Sequence, residues 1–141
     1  EDRMLVIEIK TGPEILPHLQ ECIDAHWKSG KISFIAFDFE TIAAVKLLYP
    51  NVPCYYLSSS KKNVEKHFDL ALEKGLDGLN LHYRLIHPSL VKKCYSAGLD
   101  VWCWTVNDPD TAQNMKDMGV SAVTTDRPAW IKQQMSAASV D

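Results

Sequence analysis

Six short apolar runs alternate with amphipathic segments along this chain, and most of the runs end on a polar residue. The first, Leu5-Val6-Ile7-Glu8-Ile9-Lys10, reads as a strand. Side chains alternate in face along a strand, so Val6, Glu8 and Lys10 share one side and Leu5, Ile7 and Ile9 the other. A charged pair costs free energy to bury at the end of an apolar strand, so this one is expected to have a task. Thr11-Gly12-Pro13-Glu14 then reads as a helix start, with Ile15, Leu16, Leu19, Ile23 and Trp27 at helical spacing and Ser29-Gly30 as its end.

The same alternation continues to the C-terminus. A strand from Ile32 to Phe37 closes on Asp38 and leads into a helix with Ile42, Val45 and Leu48 on one face, broken by Tyr49-Pro50-Asn51. A strand from Val52 to Leu57 passes through Ser58-Ser59-Ser60 into a helix from about Lys62 to Lys74, with Val64, Phe68, Ala71 and Leu72 inward and Gly75 after it. The next strand is Leu79 to His82, and its helix runs from Pro88 to Gly98. The fifth is Val101 to Val106, followed by a helix from Asn107-Asp108-Pro109 to Gly119 with Ala112, Met115 and Met118 inward. The sixth is Ala122 to Asp126, and Arg127-Pro128 opens a last helix with Trp130, Ile131 and Met135 facing the core. Asp126 is expected to cap that helix. Residues 1–135 then form one domain, and 136–141 a loose tail.

Lys74-Gly75-Leu76, Ala97-Gly98-Leu99 and Met118-Gly119-Val120 each close a helix and enter a strand, an internal repeat of the strand–helix unit. Six such units with short connections predict an α/β fold with a parallel sheet and right-handed crossovers. A doubly wound sheet normally carries a glycine-rich turn after its first strand, and none is present. A TIM (β/α)8 barrel instead distributes functional groups over the C-terminal ends of many strands. Here those ends carry Glu8 and Lys10, Asp38, Ser58, Asn80 and His82, Trp104, Thr105 and Asn107, and Thr125 and Asp126. The barrel is the better fit, although it needs eight strands and typically about 250 residues.

Composition narrows the partners. The 141 residues are 46% hydrophobic and 23% charged, as in an ordinary soluble globular domain. A net charge of -3 argues against nucleic acid or an anionic membrane surface. No apolar run approaches the roughly 20 residues of a membrane span, and no signal-peptide pattern is visible. A start at Glu1 rather than Met fits a processed, tagged or truncated product, and the compartment stays open. Cys22, Cys54, Cys94 and Cys103 lack metal-site spacing and are expected to be buried free thiols. Glu8 beside Lys10 offers a hard oxygen ligand and a fixed positive charge, which suits a divalent cation and a phosphate together, or simply a salt bridge. Trp104 can wall a pocket or fill a barrel layer. His82 can carry a proton or sit hydrogen-bonded at a strand end.

Leu5-Val6-Ile7-Glu8-Ile9-Lys10, Trp104-Thr105-Val106-Asn107 and the stretch Gly119-Val120 to Arg127-Pro128 resemble, in order and spacing, three successive signatures of the glycerophosphodiester phosphodiesterase family. The resemblance implies a TIM barrel that splits a small-molecule glycerophosphodiester into glycerol 3-phosphate and an alcohol with a divalent metal, Ca or Mg. It implies Glu8 as a metal ligand and Lys10 as the catalytic group that neutralises the phosphate. Trp104 would line the glycerol side, with Phe37 and His82 beside it as substrate-binding residues. The family's His-Arg-Gly motif, its Glu-x-Asp metal pair and its second catalytic histidine are not in this sequence. The six strands would then be strands three to eight, and the chain alone would be inactive. Its partner would be the missing N-terminal part of the barrel, or a second copy in a homodimer through the unpaired edges. Two alternatives stand beside this: a catalytically dead barrel serving as a binding or regulatory module, and a related lipid phosphodiesterase of the sphingomyelinase D or phospholipase C kind.

Overall fold

Four helices begin where the sequence offers an acceptor to their first free N–H groups. Asp38 Oδ2 accepts from Thr41 N at 2.9 Å ahead of α2 (Phe39–Leu48), and Ser60 Oγ from Asn63 N at 3.3 Å ahead of α3 (Lys61–Glu73). His87 Nδ1 accepts from Leu90 N at 3.2 Å ahead of α4 (Pro88–Ala97), and Asp108 Oδ2 from Thr111 N at 2.8 Å ahead of α5 (Pro109–Asp117). Gly98, at φ 86°, closes α4 in the left-handed conformation that glycine adopts without cost. The computed structural model describes residues 3–27 and 30–137. The remaining elements are β1 (Met4–Ile9), α1 (Leu16–His26), β2 (Lys31–Ala36), β3 (Cys54–Ser58), β4 (Gly78–His82), β5 (Asp100–Trp104), β6 (Ala122–Val123) and α6 (Pro128–Ala137).

All strand pairs are parallel, and the order in the sheet is the order in the chain, β1-β2-β3-β4-β5-β6. A doubly wound sheet reverses its order at a switch point and carries helices on both faces. Sequential order with right-handed crossovers puts every helix on one face. Ile9, Phe34, Ala36, Cys54, Tyr56, Leu79, Leu81, Val101 and Cys103 pack there against Ile42, Val45, Val64, Phe68, Val91 and Ala112. The opposite face is concave. Phe37, just after β2, reaches Trp104 at the end of β5 with ring centroids 5.5 Å apart. In a flat sheet those strands lie roughly 14 Å apart, three spacings of about 4.8 Å. The sheet is therefore curled, as six consecutive strands of a (β/α)8 barrel are.

The curl is held near the N-terminal ends of the strands by packing over a glycine. The Tyr55 and Trp102 rings stack at 3.8 Å from β3 and β5, across β4, where Gly78 is in register with Tyr55 and Asn80 with Trp102. A Cβ on Gly78 would come within 2.6 Å of the Tyr55 ring and also strike the Asp100 carbonyl. Asp100 gathers the donors there, accepting from Tyr55 Oη, Tyr95 Oη, Trp102 Nε1, Ser121 Oγ and Val101 N at 2.6–3.1 Å. Burial works to raise its carboxyl, but the hydrogen bonds outweigh it and hold the group below the usual aspartate value.

Several expectations need correction. The first helix splits into a 3-10 turn (Pro13–Ile15) and α1, because Pro17 has no N–H to give Pro13 O, and Leu16 N closes the shorter turn. Ser29, placed at the end of that helix, lies outside the described residues, and α1 stops at His26. Leu72 is 37% exposed: about 80° around the helix from Val64, it lies at the flank of the buried stripe. Trp130, 40% exposed, sits about 100° from the buried Ile131. Cys22 is exposed, while Cys54, Cys94 and Cys103 are buried. β6 is two residues long, although Val106 N still donates to Thr124 O at 2.9 Å. α6 runs two residues into the segment expected as a tail, and 138–141 lie outside the described residues.

Candidate functional site

Two groups of side chains meet at the C-terminal ends of the strands. The first is the charged pair. Lys10 Nζ lies 3.9 Å from Glu8 Oε2, so strand alternation brings the two together as expected. They are not buried, however: their side chains are 77% and 33% exposed. β1 is an edge strand, and among the described residues nothing pairs with it on the side away from β2, so water reaches both groups and the pair costs little to maintain. With Thr11, Gly12, Pro13, Phe37 and Asp38 they line an open hollow of about 690 Å³. Asp38 is committed elsewhere, since its Oδ2 accepts both the N–H and the hydroxyl of Thr41.

The second group is aromatic. Trp104 meets Phe37 edge to face at 5.5 Å and His82 edge to face at 5.1 Å. Its indole is anchored by Nε1, which donates to Asn80 O at 3.0 Å. His82 stacks on Tyr83 at 4.7 Å, and its Nδ1 accepts from Arg84 N at 3.3 Å. Phe37 belongs to both groups: it walls the hollow beside Glu8 and Lys10 and touches Trp104. The structure thus brings Glu8, Lys10, Phe37, His82 and Trp104 to one end of one face. A cation, a carboxylate and a wall of ring faces and edges can bind an anion carrying a small partly apolar body.

Sequence reasoning missed how the two C-terminal signature segments join. Asn107 Nδ2 donates to Asp126 Oδ2 at 2.7 Å, and Asn107 Oδ1 accepts from Thr125 Oγ1 and Asp126 N, each at 2.9 Å. Asp126 is therefore held by Asn107, which joins the chain after β5 to the chain after β6. The signal was the presence of Asn107 and Thr125-Asp126 at the ends of strands that proved adjacent. Thiolate chemistry is disfavoured at the three buried cysteines: burial pushes Cys54 up to about 12, and Cys94 and Cys103 each to about 11. Among the described residues no three or more His, Cys, Asp or Glu side chains cluster as a metal site. Among them, too, no helix is long and apolar enough to cross a membrane.

The model of the glycerophosphoryl diester phosphodiesterase family matches residues 4–130. A glycerophosphodiester phosphodiesterase of Caldanaerobacter subterraneus is 25% identical over 132 residues, which cover 91% of this chain and 54% of that protein. A crystal structure of a glycerophosphodiester phosphodiesterase from Parabacteroides distasonis superposes with a TM-score of 0.78 at 25% identity, covering 96% of this chain and 58% of the other. An Oleispira antarctica phosphodiesterase, solved in complex with the product sn-glycerol-3-phosphate, gives a TM-score of 0.78 at 24% identity over 88% of this chain and 50% of its own. At that identity the likeness establishes the fold. The chain spans between 20% and 54% of the length of the curated relatives it matches.

Proposed function

This chain belongs to the glycerophosphoryl diester phosphodiesterase family, and from that premise we propose that its concave face binds the phosphoryl and glycerol parts of a glycerophosphodiester. The complete barrel would hydrolyse that substrate to glycerol 3-phosphate and an alcohol. The observation that carries this reading is the place of Phe37, which walls the hollow of the Glu8–Lys10 pair and meets Trp104, itself in contact with His82. The Oleispira neighbour bound to sn-glycerol-3-phosphate supports the ligand class.

The roles follow from chemistry. The Lys10 ammonium stabilises negative charge on the phosphoryl oxygens, and more strongly as that charge grows in the transition state. Trp104, Phe37 and His82 wall the glycerol side and exclude water from it. The Glu8 carboxylate fits the oxygen chemistry of Ca or Mg, where such an ion would balance phosphate charge. One carboxylate is not a whole site, and the described residues supply no cluster of three. Glu8 is therefore assigned one ligand of a cation shared with the rest of the barrel, and no step is derived through that ion. Protonation of the leaving alkoxide is assigned to a histidine outside this chain.

The partner implied is the set of βα units that would pair with the open edge of β1; a homodimer through the same edge is the competing assembly. The test is complementation. The first two βα units of a relative, mixed with this chain, are expected to yield glycerophosphocholine hydrolysis that Lys10→Ala removes. Hydrolysis that survives Lys10→Ala would contradict the assignment.

A further inference from the structure

Asn80 is 2% exposed, and among the described residues no group donates a hydrogen bond to its side-chain oxygen Oδ1. Its neighbours Leu79 and Leu81 lie in the core on the helix side. Alternation therefore turns Asn80 to the concave face, one residue pair below His82 on β4 and in register with Trp102 on β5. The Asn80 backbone oxygen holds the Trp104 indole, and the Phe37 ring closes against that indole. A buried amide oxygen without a donor is costlier than an edge-to-face ring contact is favourable. A leucine at this position would fill the layer without that cost. Phe37 lies beyond the last residue of β2 and is 48% exposed, so its ring can leave Trp104 without breaking the sheet.

We propose that Asn80 is the polar floor of the mouth: it accepts a hydrogen bond from a hydroxyl of the ligand when that ligand parts Phe37 from Trp104. The consequence is selectivity for a phosphate ester of a polyol over phosphate itself. Phosphate is held at Lys10 in either case, and only the polyol reaches Asn80. This inference rests on the reading of the site as a glycerophosphodiester site, and its test separates the two.

The test is calorimetric titration of the whole 141-residue chain with sn-glycerol 3-phosphate and with inorganic phosphate, in parallel with Asn80→Leu. Wild type is expected to bind the ester more tightly than phosphate. Asn80→Leu is expected to bind phosphate unchanged and the ester about tenfold more weakly, the effect of one lost hydrogen bond. The free variant is expected to melt a few degrees higher, since an unsatisfied polar atom is gone. Asn80→Ala, which adds no bulk, carries the same binding expectation. Equal ester affinity in wild type and both variants would overturn the role of Asn80 and leave the site reading intact. A lower melting temperature for Asn80→Leu would assign Asn80 to the scaffold and also overturn it. Failure of wild type to bind either probe would overturn the site reading, and this inference with it.

Discussion

Phe37 and Trp104 touch edge to face at 5.5 Å although two strands, β3 and β4, separate theirs in the sheet. That contact measures the curl of the sheet and joins the charged half of the mouth to its aromatic half. An edge-to-face pair is worth about 0.5–1.5 kcal/mol, and Phe37 is 48% exposed. Phe37→Ala is therefore expected to lower stability by about 1 kcal/mol or less while weakening sn-glycerol 3-phosphate binding by about fivefold or more. Urea unfolding and a binding isotherm on the same variant check this.

Gly78 makes a sharper demand. An alanine there meets the Tyr55 ring and the Asp100 carbonyl, and neither can withdraw without disturbing the Tyr55–Trp102 stack. Overpacking of this kind costs about 1–3 kcal/mol, so Gly78→Ala is expected to melt several degrees below wild type. Calorimetry that finds no change would show the stack to be loose.

The pH dependence of stability is expected to reflect Asp100. Its folded carboxyl lies below the ordinary value, so it contributes stability above the unfolded pKa, and that contribution is lost as pH falls through the folded value. Urea midpoints are expected to decline below about pH 4. Asp100→Asn is expected to lose about 1.5–3 kcal/mol at neutral pH, the worth of hydrogen bonds to a charged acceptor. Its decline in acid is expected to be shallower.

The same chemistry limits catalysis by the chain alone. Loss of a general acid or base costs about 10² to 10⁴ in rate, and among the described residues the mouth of the concave face shows one carboxylate–amine pair, Glu8 with Lys10. Glycerophosphocholine incubated with this chain and Ca or Mg is expected to show no turnover above background. Metal-stimulated release of choline would contradict that.

Much of this was legible in the sequence because it is encoded locally. Asp38, Ser60 and Asp108 cap helices through their own side chains, and strand alternation alone sets Glu8 beside Lys10. The repeated helix-ending glycines foretold the unit, and Gly98 shows why, in its left-handed turn. Long-range packing was not legible. The exposure of Lys10 follows from β1 being outermost, which no residue near it states. Asn107 and Asp126 are 19 residues apart in sequence and 2.7 Å apart in space. Tyr55 and Trp102 stack only because Gly78 leaves room between their strands. Leu72 and Trp130 read as core from their type, and helix phase turns them outward.

The most direct test of the whole account is an amide and indole NMR titration of this chain with sn-glycerol 3-phosphate. The account predicts that the perturbed signals cluster on Glu8, Lys10, Phe37, His82 and the Trp104 indole, and that Lys10→Ala abolishes them. Shifts confined instead to the groove between α3 and α4, around Val64, Phe68 and Leu90, would contradict it, as would no shifts at all.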